Sequence, residues 1–285
     1  MPLTDFGRFE SQHETGTFDH NGCRLTYAWM GDGPPLVLVN GMGGDFKLFY
    51  RIFLDLSEDY RVIGYNHRGE VGDGTIPGGF SHDDLVDDFA ALCDHLQLDS
   101  FHLLGFSFGG TVAQRYVIDH PGKASSLILS SAFARRPLLW YERWLTHLVW
   151  STGLPVHRMP GRRLFSRFTH CRHLYRIDPE RVCFLCDHSM ETPSRTLVRR
   201  AMLIDQFDIR SRLNENDCPV LLLRGERDGI VPTKFSEELK QYLTGAMETS
   251  FPDVGHFLPL SVPDEFNSTL KTFLSEVNIP ARVAR

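Results

Sequence analysis

The sequence predicts an α/β architecture: a mostly parallel central sheet with helices on both faces, interrupted once by a long helical insertion. Three observations predict it. Short, wholly apolar, β-branched runs such as Leu36-Val37-Leu38-Val39 suit strands covered on both faces. These runs alternate with segments of helical spacing, the pattern of a parallel sheet. Between Arg135 and Arg210 the alternation stops and then resumes.

Glu14–Asp19 and Cys23–Met30 flank His20-Asn21-Gly22, which reads as a hairpin with a tight Asn-Gly turn. Helical spacing follows over Phe46–Leu56, a strand over Tyr60–Tyr65, and a helix over Ser81–Leu96 with Ser81 as N-cap and acids in its first turn. Phe101–Phe106 reads as a strand, Phe108–His120 as a helix and Ser126–Ser130 as a strand. After the insertion come a strand at Val220–Leu223, a helix at Pro232–Leu243, a strand at Glu248–Phe251 and a helix at Pro263–Val277. The expected partition is residues 1–133 and 213–285 as the two parts of a sheet domain, with 134–212 as a helical lid.

The chain has 285 residues and 42% apolar residues, ample for a sizeable core. The first sixteen residues are polar and acidic, and no apolar run approaches the ~20 residues of a membrane span, so neither a secretory signal nor a membrane association is expected. Six cysteines without regular spacing read as reduced thiols, and the expected location is cytoplasmic. The net charge of -6 disfavours a nucleic-acid partner. The charge is uneven: Arg135–Arg210 holds fourteen Arg, no Lys and seven acids, a net +7 that leaves the remainder at -13. Arginines favour carboxylates and phosphates, so an anionic substrate or a carrier-linked acyl group stands beside the plainer reading of a solvated basic face.

Gly105-Phe106-Ser107-Phe108-Gly109 matches G-x-S-x-G. With Gly and Ser each near ~7% of residues, a chain of this length shows the pattern by accident with odds on the order of 0.1. Context carries the signal: a buried-type strand precedes Ser107 and a helical pattern follows it, the strand–turn–helix that presents a serine Oγ at the carboxyl edge of a sheet. Asp228, after the strand at Val220–Leu223, and His256, after the strand at Glu248–Phe251, fall on the same edge in the order Ser, Asp, His. Asn40-Gly41-Met42-Gly43-Gly44 follows the first core strand, where backbone N–H groups can meet an oxyanion together with that of Phe108. The ordinary alternatives are a glycine-rich turn around Ser107, a helix-capping Asp228 and a structural His256.

These four motifs, in this order over nearly the whole chain, resemble the lid-bearing serine hydrolases of the α/β-hydrolase superfamily. The resemblance implies esterase, thioesterase, lactonase or C–C-bond hydrolase chemistry without a cofactor or metal. It implies Ser107 as nucleophile, His256 as base, Asp228 as the group orienting His256, and Met42 and Phe108 as oxyanion donors. Asn40, Gly41, Gly43, Phe106, Trp140 and Trp144 are the expected substrate-binding residues. The substrate is expected to be a small molecule and the protein a monomer or homodimer; a small-molecule receptor on the same scaffold is the alternative of another class.

Two departures stand out. The family usually has His-Gly where this chain has Asn40-Gly41, and Asn66–Gly74 alters a loop that often reads Asp-x-Arg-Gly-x-Gly-x-Ser. In the insertion, His170–His173 and Cys183–His188 carry zinc-ligand residue types at spacings that fit no standard finger, and no metal is expected.

Overall fold

A computed structural model describes residues 2–152 and 192–277. The Cys/His cluster at 170–188 lies outside the described residues. Eight strands form one sheet: β1 (Glu14–His20), β2 (Cys23–Met30), β3 (Pro35–Val39), β4 (Arg61–Tyr65), β5 (Phe101–Phe106), β6 (Ala124–Ser130), β7 (Val220–Gly225) and β8 (Met247–Phe251). Their order is β1-β2-β4-β3-β5-β6-β7-β8. The pairs β1/β2 and β2/β4 are antiparallel, and every pair from β4/β3 through β7/β8 is parallel.

The described helices are α1 (Pro2–Gln12), α2 (Tyr50–Leu56, entered through a 3-10 turn at Phe46–Phe49), α3 (His82–His95), α4 (Phe108–Asp119), α5 (Trp140–Thr152), α6 (Ser194–Gln206), α7 (Thr233–Tyr242), α8 (Leu258–Ser261) and α9 (Pro263–Glu276). The apolar runs divide by parity, as the period of two in a strand requires. Val37, Val39 and Leu103 face α3, α4 and α6, whereas Leu36, Leu38 and Leu104 face α1, α2 and α9. Both faces of the central strands are therefore buried, which is why those strands do not alternate polar and apolar residues.

Local chemistry explains the boundaries. Asn21 (φ 47) and Gly22 (φ 75) both take the positive φ of a two-residue hairpin turn. Ser81 caps α3 reciprocally: its Oγ accepts from the Asp84 N–H at 3.1 Å, and the Asp84 carboxylate accepts from the Ser81 N–H at 2.7 Å. Two helices are additional to the sequence expectation. In α1, a polar segment, Phe9 is fully buried and packs on Phe53, Phe6 meets Tyr50 edge-on, and Asp5 pairs with Arg51 at 2.8 Å. The short α8 follows His256 within two residues.

The chain on either side of the long interval between β6 and β7 comes together at one point: Arg135 bridges Asp208, and the Ile209 N–H donates to Ala134 O at 3.1 Å. Helices α5 and α6 pack on each other there.

The core also holds charge. Arg68 and Asp88 form a buried two-pronged pair with hydrogen bonds of 2.6 and 2.5 Å. Asp88→Ala removes the buried, two-pronged partner of that guanidinium and leaves only the longer contact to the half-exposed Asp84 at 3.5 Å, so it should cost about 3 kcal/mol in urea unfolding, whereas the double change Arg68→Met/Asp88→Leu should cost less.

Fully buried His67 is pushed down to about 3, first by burial and then by the Arg200 charge. A histidine with a depressed folded-state pKa contributes stability that is present above its unfolded value and is lost as pH falls toward the folded one. From pH 6.5 downward, His67 should therefore cost about 1.4 kcal/mol of stability per pH unit. Urea unfolding at pH 7 and pH 5 should show a shallower pH slope for His67→Gln than for the parent; equal slopes would refute the assignment.

Candidate active site

Strand β3 has β4 on one side and β5 on the other, so the chain runs out in opposite directions from the β3/β5 pair. Such a reversal opens a crevice beyond the carboxyl ends of the two strands. Loop 40–44 leaves β3 at that crevice, and Ser107 leaves β5 beside it.

Ser107 sits at φ 53, ψ -117, a conformation rare for a residue with a Cβ and costing about 1–3 kcal/mol. Backbone hydrogen bonds hold it there: its N–H donates to Ser130 O at 2.9 Å, and its carbonyl accepts from Gly110 N–H at 2.9 Å. The turn closes only because its neighbours lack side chains. A Cβ on Gly109 would come within 2.2 Å of Val39 O, and one on Gly105 within 2.7 Å of Gly110 Cα.

The structure brings Ser107, Asp228 and His256 together, and all three are buried. The Ser107 hydroxyl lies 2.9 Å from His256 Nε2, and His256 Nδ1 lies 2.7 Å from Asp228 Oδ2. The other Asp228 oxygen accepts from the N–H groups of Ile230 and Val231, each at 2.8 Å. Burial raises the Asp228 pKa, but the His256 charge and the hydrogen bonds from His256, Val231 and Ile230 outweigh it and hold the carboxyl below its ordinary value. An ionised Asp228 selects the tautomer with a proton on Nδ1 and leaves the Nε2 lone pair facing the Ser107 hydroxyl.

The loops carrying Asp228 and His256 are tied together by the Arg227 N–H donating to Val254 O at 2.8 Å. Phe106 packs its ring on His256 at 5.2 Å, so it supports the imidazole. Ser131, which sequence reasoning missed, donates its hydroxyl to the His256 carbonyl at 3.0 Å. Its position directly after β6 on the same sheet edge was the available signal.

Loop 40–44 lies against Ser107: a Cβ on Gly41 would be 3.7 Å from Ser107 Cβ. Asn40 is buried and donates from Nδ2 to Gly44 O at 2.7 Å, so it closes the loop where the family carries histidine. Among the described residues, no hydrogen bond takes the N–H of Met42 or of Phe108. Gly43 is half-buried in the same loop. Beneath it, the Tyr65 hydroxyl donates to His67 Nδ1 at 3.2 Å, and His67 Nε2–H donates to Asn40 O at 3.0 Å.

Trp140 and Trp144, expected to line a substrate pocket, are 81% and 64% exposed on α5. The described arginines of the Arg-rich segment are engaged internally. Arg135 and Arg210 pair with Asp208, Arg136 with Glu142, and Arg143 with Asp205. Arg195 lies over Trp150, Arg199 donates to Phe80 O, and Arg200 pairs with Glu70. Among the described residues, no group of three or more His, Cys, Asp or Glu side chains could hold a metal ion, and no helix is long and apolar enough to cross a membrane.

Residues 34–155 match the family model of the alpha/beta hydrolase fold. A putative carbamate hydrolase, RutD, of Caulobacter segnis is 28% identical over 268 residues, covering 91% of this chain and 98% of the relative. The 3-oxoadipate enol-lactonase 2 of Acinetobacter baylyi is 24% identical over 271 residues, covering 93% and 98%. A thermophilic esterase from Thermogutta terrifontis superposes with a TM-score of 0.80 at 25% identity, over 94% of this chain and 100% of that one. With the sheet order, the turn at Ser107 and these matches together, the chain has the α/β-hydrolase fold.

Proposed function

We propose that this α/β-family hydrolase cleaves a carboxylic ester or thioester of a small organic molecule through an acyl-enzyme on Ser107. The observation that carries the reading is the unbroken buried line from the Ser107 hydroxyl through His256 to Asp228. A strained serine, a base within hydrogen-bond reach and a carboxylate orienting that base are the parts that nucleophilic acyl transfer needs.

In this reading, His256 Nε2 takes the hydroxyl proton as Ser107 Oγ attacks the substrate carbonyl. Asp228 stays ionised and stabilises the imidazolium. The N–H groups of Met42 and Phe108 receive the oxyanion, a contribution of about 3–4 kcal/mol per donor. His256 then returns its proton to the leaving alcohol or thiol, and the acyl group remains on Ser107. A water enters, His256 removes its proton as the water oxygen bonds to the acyl carbon, and the bond from that carbon to Ser107 Oγ then breaks as His256 returns the proton to Oγ and the acid leaves.

A lactone is an internal ester open to the same attack, and the enol-lactonase relative supports including that class. The engaged arginines of α5 and α6 favour a neutral ester over an anionic or carrier-linked thioester. Residues 134–212 act as a lid over Ser107, an assignment supported by the insertion leaving and rejoining the sheet domain at Ala134 and Ile209.

Ser107→Ala should lower kcat/KM for 4-nitrophenyl acetate by at least about 10⁴-fold, with an unchanged circular dichroism spectrum. A fluorophosphonate should add one mass increment at Ser107. Asp228→Asn should lose about 10⁴-fold in kcat, since the amide offers Nδ1 the wrong partner. Turnover near the parent level in Ser107→Ala would overturn the assignment.

A further inference from the structure

Helix α6 carries a guanidinium into the interior beside loop 40–44. Arg200 is 0% exposed. Its Nη1 donates to Met42 O at 2.8 Å, and its Nη2 donates to the Glu70 carboxylate at 2.9 Å, to Arg68 O at 3.0 Å and to His67 O at 3.4 Å. A buried charge of this kind is costly unless paired and fully hydrogen-bonded. Glu70 supplies the counter-charge, and three carbonyls occupy most of the remaining donors; Nε alone lacks a partner.

The peptide units of the loop show what this arrangement does. The unit joining residues 40 and 41 is held by His67 through Asn40 O. The unit joining 42 and 43 is held by Arg200 through Met42 O. The unit joining 43 and 44 is held through the Gly44 N–H, which donates to Thr192 Oγ1 at 3.4 Å, and the unit after Gly44 is held by Asn40 Nδ2. Among the described residues, only the unit joining 41 and 42 has neither its carbonyl nor its N–H engaged. That N–H is the one belonging to Met42. Its direction is set by the φ and ψ angles on either side, which the anchored units before and after it fix.

We propose that Arg200 is a positioning residue for the oxyanion site: by holding the Met42–Gly43 peptide it keeps the Met42 N–H turned toward Ser107. Catalytic competence at Ser107 is thereby coupled to the seating of α6. A movement of α6 away from the sheet withdraws Arg200 from Met42 O, so the oxyanion site is complete only when this part of the insertion is docked. The proposal rests on the reading of Ser107 as the nucleophile. Thr196, which donates to Gly69 O at 2.6 Å, and Arg199, which donates to Phe80 O at 2.5 Å, anchor α6 independently of Arg200.

The test compares 4-nitrophenyl acetate with its thionoester analogue, whose developing charge falls on sulfur and fits an oxyanion site poorly. In the parent, the oxygen ester should be strongly preferred. In Arg200→Gln, kcat for the oxygen ester should fall roughly 10- to 100-fold with KM changed less than about threefold, and the preference for oxygen over sulfur should shrink roughly tenfold. A general loss of structure lowers both rates together and leaves the preference unmoved. Arg200→Lys keeps the charge next to Glu70 but not the fork that spans Met42 O and the 67–70 carbonyls. It should show the same shift in smaller measure, and it carries the test if Arg200→Gln does not fold. An unchanged oxygen-to-sulfur preference in a folded variant overturns the proposal while leaving the Ser107 reading intact. Full activity in Ser107→Ala overturns that reading instead.

Discussion

The backbone of Ser107 is the constraint on which the other features depend. A serine at positive φ between a strand and a helix stores strain, and the fold must hold it from both sides. Strand β6 supplies the acceptor for its N–H, and α4 starts on its carbonyl. Gly105 and Gly109 allow the strand, the helix and the end of β3 to approach to distances that no side chain would permit. The reward is geometric: the hydroxyl stands at the sheet edge, within reach of a histidine delivered by a strand three positions away in the sheet.

Electrostatics then sets the charge state of the groups that Ser107 meets. Asp228 is buried, and burial alone would favour its neutral form. Two backbone N–H donors and the imidazole reverse that preference, so a charge is kept where water is scarce and its effect on His256 is strong. His67 shows the opposite outcome with the same ingredients. It is buried near a cation instead of an anion, remains neutral, and serves as a donor to Asn40 O. Asp228 and His67 differ because of what the fold places beside them.

The Arg-rich insertion changes meaning in three dimensions. As a sequence it is a block of positive charge that invites an anionic ligand. In the structure, each described arginine is already committed to a carboxylate, a carbonyl or an aromatic ring, and the deepest of them reaches the loop beside Ser107. Among the described residues, Arg199 and Arg200 tie α6 to the loops that follow β3 and β4.

Much of this architecture was legible from residue pattern. Strands β1 to β8 follow from apolar runs, Asn21-Gly22 and the punctuation of glycine and proline, because local backbone preference and burial on a sheet act over a few residues. The order Ser107, Asp228, His256 was legible because each stands just after a strand, and a parallel sheet sends all such positions to one edge. Other features could not be read. Helix α1 is held by Phe9 meeting Phe53, Phe6 meeting Tyr50 and Asp5 meeting Arg51, Ser131 by its reach to the His256 carbonyl, and Arg200 by four acceptors drawn from residues 42 to 70. Each depends on contacts between segments far apart in the chain, and no periodicity records which distant partner a side chain will find. Sequence pattern thus specified the sheet and the place of Ser107 on it; the packing of remote segments specified which polar groups surround that serine and hold loop 40–44 beside it.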